Sequence, residues 1–125
     1  MVMLDANMIL RYLLDDNAEM AEEAERRISE DDVSVTIEVI AEVVYVLKGV
    51  YSLNRDKIVD SLSQFIDLVF CQERDVLKYA LETYGEGNLD FVDCVLYAYN
   101  RIRGIEIATF DTKLKKLIAA EDDAP

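Results

Sequence analysis

Five carboxylates interrupt apolar stretches of this 125-residue chain. They are Asp5 in MVMLDANMIL, Glu42 in VIAEVVYVL, Asp90 and Asp93 in LDFVDCVLYA, and Asp111 directly after IEIATF. Most of the 26 acidic residues are solvated surface, but an ionised carboxylate in apolar surroundings is costly unless a cation or a metal balances it. Asp5 reads equally well as a helix N-cap or as a metal ligand. Glu42, in mid-helix with Glu38 one turn before it, reads as a buried acid. Asp90 and Asp93 are spaced i, i+3 at a helix start, so both project from one side. Asp90 reads most readily as the cap, and Asp93 lies deeper in the apolar pattern. Asp111 repeats the arrangement of Asp5, an acid following a strand. Each has a capping or surface explanation singly, but jointly they point to one divalent-metal site. Carboxylates gathered together repel, and their pKa values rise unless a cation neutralises them. Hard oxygen ligands suit Mg²⁺ or Mn²⁺ rather than zinc, and the chain has no His.

Short strands alternating with helices would have to position these groups. Val2 to Leu4 reads as a short buried strand, followed by a helix carrying Ile9, Leu10, Leu13 and Leu14. A second helix begins near Asn17, with Met20, Ala21, Ala24 and Ile28 on one face. Val33 to Thr36 alternates as a strand, and Thr36 caps a long helix through Leu47. Asn54 caps a helix bearing Ile58, Leu62, Phe65 and Ile66. Val69 to Cys71 reads as a third strand, and a helix from Glu73 to Tyr84 ends in the Gly85-Glu86-Gly87 turn. Another runs from Leu89 to Arg103 and stops at Gly104. Ile105 to Thr109 reads as a buried strand, and Asp111 opens a last helix. This order predicts a single domain over 1–125: an α/β sandwich around a parallel sheet with right-handed crossovers. In such sheets ligands gather beyond the carboxyl ends of the strands, where Asp5 and Asp111 both fall.

Composition narrows the function classes. Apolar residues make up 52% of the chain and charged residues 31%, a globular balance. No apolar run reaches the roughly 18 residues of a membrane span. The N-terminal stretch lacks the basic leader of a secretory signal, so a cytoplasmic protein is expected. Cys71 and Cys94, without CxxC spacing, read as reduced thiols. No Gly-rich phosphate loop or GxSxG elbow is present. The net charge of −13 runs against simple phosphate attraction. Divalent cations on the carboxylates would reverse the local field, or a basic partner would cover the acidic face. The charge is uneven: acids dominate from Asp15 to Asp32, while Arg101, Arg103, Lys113, Lys115 and Lys116 make a basic stretch around Asp111.

The ordered set LDANMILRYLL, Glu42 in a central apolar helix, LDFVDCVLYA and TFD resembles the PIN-domain nucleases. More narrowly, it resembles the VapC-type toxins of bacterial and archaeal toxin–antitoxin modules. The resemblance covers nearly the whole chain. It implies a three-layer α/β/α sandwich with a short central parallel sheet, and Mg²⁺- or Mn²⁺-dependent endoribonuclease activity. It also implies inhibition by a cognate antitoxin protein, and a homodimer. Carried across residue by residue, the family's acids fall on Asp5, Glu42, Asp93 and Asp111, with Asp90 as a further metal ligand. Asn7 and Thr109 match polar residues that orient the first and last acids. Arg11, Arg101, Arg103 and Lys113 are the candidates for contact with RNA. A metal-activated water attacking the phosphate would leave a 3′-hydroxyl and a 5′-phosphate. The alternatives are a PIN-fold nuclease of RNA processing or of DNA that has no antitoxin, and a non-catalytic PIN-fold interaction module.

Overall fold

The computed structural model describes residues 1–122, with side chains through residue 120. The chain divides into two compact units, Met1–Arg74 and Asp75–Pro125. Among the described residues, no helix is long and apolar enough to cross a membrane.

The first unit contains β1 (Val2–Met3), α1 (Ala6–Leu14), α2 (Ala18–Glu30), β2 (Val33–Val35), α3 (Ile37–Gly49), α4 (Arg55–Ile66) and β3 (Phe70–Cys71). The strands form one sheet in the order β1-β2-β3, parallel throughout, with Val2 opposite Val33 and Ser34 opposite Phe70. Parallel neighbours cannot be joined by a tight turn, so helices must carry the chain back between them. Side-chain caps start those helices. Asp5, Asn17, Thr36 and Asn54 accept from the N–H groups of Met8, Met20, Val39 and Lys57, respectively, each satisfying a donor that the first turn leaves unpaired. The anticipated face of α4 is buried at Ile58, Leu62, Phe65 and Ile66, and α3 buries Ile40, Val43, Val44 and Leu47. The Tyr12 ring leans on Phe65 at 5.7 Å. β1 departs from expectation. Only Leu4, just past it, is buried, while Met3 is 67% exposed.

The second unit follows Arg74, the first residue of α5 (Arg74–Glu86), and includes α6 (Phe91–Arg103) and α7 (Thr112–Asp122). α5 does not stop at Tyr84. It runs through Gly85 to Glu86, because one glycine near a helix end costs only about 1 kcal/mol. The Tyr84 ring is buried and meets Phe91 edge-on at 5.9 Å. α6 ends as anticipated at Gly104, whose φ of 68° is a left-handed conformation that glycine adopts without a side-chain clash. The strand expected from Ile105 to Thr109 is absent. No ladder pairs this segment among the described residues, and Ile105 and Phe110 are 49% and 99% exposed. The Asn100 amide donates to the Ile105 carbonyl, and Lys115 lies over the Phe110 ring. Alternating apolar residues make a segment competent for a strand, but only a partner edge makes it one. Cys71 and Cys94 are buried thiols.

Candidate active site

In the second unit, three of the five singled-out carboxylates share one hollow. Asp90, Asp93 and Asp111 line a space of about 300 Å³ together with Asn88, Leu89, Thr112 and Lys113. Asp90 occupies the N-cap position of α6, yet its side chain makes no capping hydrogen bond. The cap reading, strongest for this residue in sequence, therefore fails. Asp93 sits in the first turn of α6, where the helix dipole favours an anion. Its carboxyl is nevertheless pushed above the ordinary aspartate range, chiefly by burial, then by the charges of Asp111 and Asp90. Asp111 accepts the Leu114 N–H through one carboxylate oxygen at 2.8 Å, and its own N–H donates to the Thr109 hydroxyl at 2.9 Å. Thr109 thus sets the backbone at Asp111, not its carboxylate. Capping uses one oxygen of Asp111 and leaves the other, so a cap and a ligand are compatible roles for one aspartate.

In the first unit, Asp5 is built the same way, with its Oδ1 accepting from the Met8 N–H at 2.8 Å. It lines a separate hollow of about 350 Å³ with Asn7, Met8 and Arg11 of α1 and Glu19, Met20 and Glu23 of α2. Arg11 is not a free cation. It forms a two-pronged bond to Asp16 at 2.8 and 2.9 Å and donates to the Tyr51 hydroxyl at 3.2 Å. This clamp fixes the corner after α1, where Asp15 takes a left-handed φ of 50°. Glu42 corrects an expectation, because it is exposed rather than buried. Glu38, Glu42 and Tyr45 follow one another at helical spacing on the outward side of α3, opposite Ile40, Val43, Val44 and Leu47.

The basic candidates separate clearly. Arg103 grips Asp75 at 2.7 and 2.9 Å, holding the Asp75 carboxyl below its ordinary value. Arg101 donates to the Asn100 side-chain oxygen and lies over the Tyr97 ring at 5.7 Å. Lys113 alone among the four lines the carboxylate hollow. Asn88 and Thr112 also line it, and sequence reasoning missed both. Asn88, just before LDFVD, was legible only as turn material, and Thr112 only as the residue after an interesting aspartate.

The donor set of this hollow is carboxylate, amide and hydroxyl, without sulfur or imidazole, which suits a hard divalent cation. Among the described residues, no three acidic or cysteine side chains are already drawn into a metal-binding group, as expected of anions that repel one another. The raised Asp93 carboxyl records burial first and then the same repulsion, and a cation would relieve the repulsion. A search of curated proteins and a search of solved structures each return no match to this chain. The family model described as the PIN domain does match, over residues 2–119. Its α/β/α class agrees with seven described helices and a short parallel sheet. A match spanning nearly every residue places this chain in the PIN domain family, whose members are generally metal-dependent nucleases.

Proposed function

We propose that this chain is a Mg²⁺- or Mn²⁺-dependent endoribonuclease, the toxin of a toxin–antitoxin pair. The observation that carries the metal-dependent reading is the hollow of Asp90, Asp93 and Asp111. There the Asp93 carboxyl is raised by burial and by its two acidic neighbours. Asp93 and Asp111 would hold the ion, with Asp90 beside them. Asp5 and Glu42, the remaining acids of the family pattern, are assigned to the same chemistry. A bound divalent ion supplies neutralising charge and a water acidic enough to act as nucleophile near neutral pH. The chain's own groups prepare for this. The Leu114 N–H and the Thr109 hydroxyl hold Asp111 in place, and Lys113 brings positive charge to attract the phosphate. Attack by water rather than by the ribose 2′-hydroxyl leaves 3′-hydroxyl and 5′-phosphate ends.

RNA as substrate and an antitoxin as partner rest on the resemblance of the ordered motifs to VapC-type toxins, as do a cytoplasmic setting and a homodimer. The acidic face of α2 adds chemical support for a basic partner, because Glu19, Glu22 and Glu25 are exposed there. Asp93→Asn is expected to lower divalent-dependent RNA cleavage by at least about 100-fold with the fold retained by circular dichroism. Full activity in that variant would sink the assignment. Induced expression of the wild-type chain alone should arrest growth, and Asp93→Asn should not. Unaffected growth would point instead to a PIN-fold nuclease that works without an antitoxin.

A further inference from the structure

A second hollow of the Asp75–Pro125 unit, about 710 Å³, adjoins the carboxylate hollow, since Asn88, Leu89 and Lys113 line both. Its walls differ in chemistry. α5 contributes Tyr79, Glu82 and Glu86, and α7 contributes Lys113 and Lys116. Tyr79 is half-buried and rests on the buried Tyr97 ring at 5.9 Å and 48°, so packing sets its plane while part of it stays open. Glu82 and Glu86 are exposed and one helical turn apart. Among the described residues, no ion pair engages either glutamate or either lysine. These four charges are therefore available to a ligand.

The combination selects a ligand class. A simple anion would avoid two glutamates, and an apolar ligand would leave four charges unanswered. A nucleotide meets all of it, with a ring to lie on tyrosine, a phosphate for lysine, and base-edge donors for a carboxylate. Among the bases, guanine presents N1–H and N2–H₂ side by side, the pair of donors that one carboxylate accepts together. On that edge adenine, cytosine and uracil each set an acceptor directly beside every donor, so one carboxylate cannot accept two bonds without facing a lone pair. We propose that this hollow is a subsite for one nucleotide of the strand, selective for guanine. Tyr79 stacks on the base, Glu82 or Glu86 reads its edge, and Lys113 and Lys116 hold the phosphate. Its position beside the scissile phosphate rests on the nuclease reading above.

The test titrates GMP, AMP, CMP and UMP into the metal-free full chain and follows backbone amides by NMR. GMP should bind about tenfold more tightly than the others, with the largest changes at Tyr79, Glu82, Glu86 and Lys113. The double variant Glu82→Gln, Glu86→Gln should bring GMP to the level of AMP. Tyr79→Ala should weaken all four by about tenfold, and Tyr79→Phe should restore them. Equal affinity for the four nucleotides, or changes confined to other residues, would overturn the subsite. Because no cleavage is involved, the two readings fail separately. Guanine selectivity in a chain that shows no metal-dependent cleavage would remove the nuclease assignment and leave the subsite standing. Metal-dependent cleavage without selectivity would remove the subsite alone.

Discussion

At the scale of single residues, Asp93 shows how competing effects are decided. Its place in the first turn of α6 favours the charged form, yet burial and the charges of Asp111 and Asp90 win and raise its carboxyl. The consequence for stability has a definite sign. Between the ordinary aspartate value of about 3.9 and the raised folded value, the native state holds more protons than the unfolded chain. Stability contributed at this site therefore falls as pH rises through that window and is constant above it. Urea unfolding of metal-free wild type and Asp93→Asn from about pH 4 to pH 7 checks this. The variant should gain on wild type as pH rises, and parallel profiles would contradict the account. Asp75 behaves oppositely. Its carboxyl is lowered by the Arg103 hydrogen bonds, so its contribution is lost as pH falls, and because the pair is exposed to solvent that contribution is small.

At the scale of elements, local chemistry carried far. Asn17, Thr36 and Asn54 cap the helices that their sequences announce, because an N-cap depends only on a side-chain oxygen and an N–H three residues on. The face of α4 was equally legible, since burial every three or four residues is a local pattern. Leu62, fully buried on that face, should cost about 2–5 kcal/mol when replaced by alanine, read as a fall in the urea midpoint with unchanged slope. A loss below 1 kcal/mol would mean that α4 packs loosely. Two elements escaped the same logic. The Gly85-Glu86-Gly87 run looked like a stop, yet α5 passes through Gly85, with Tyr84 buried against Phe91 just before it. IEIATF looked like a strand because alternation reports competence, while a strand also requires a neighbouring edge.

At the scale of the whole molecule, the charge of −13 sets the response to salt. A basic nuclease loses affinity for its substrate as salt rises. Here the long-range force between protein and RNA is repulsive, so screening should help encounter. With divalent ion fixed and saturating, kcat/KM on RNA should rise severalfold between about 20 and 150 mM KCl. A steep fall would show that Lys113, Lys116 and their neighbours dominate the field that the substrate meets.

The sequence by itself determined which helices form, where the caps Asn17, Thr36 and Asn54 lie, and which carboxylates interrupt apolar runs. All of these depend on residues within a few positions of one another. Only the tertiary structure decided that Glu42 faces outward, although the 38–42–45 spacing was there to be read. Only it decided that Arg11 is spent on Asp16 and Tyr51, and Arg103 on Asp75. Those last partners lie 40 and 28 residues away, and no local pattern encodes which distant acid or hydroxyl a guanidinium will meet. The same holds for the carboxylates: the sequence marked Asp90, Asp93 and Asp111 as anomalous, but folding α6 against α7 brought them to one hollow.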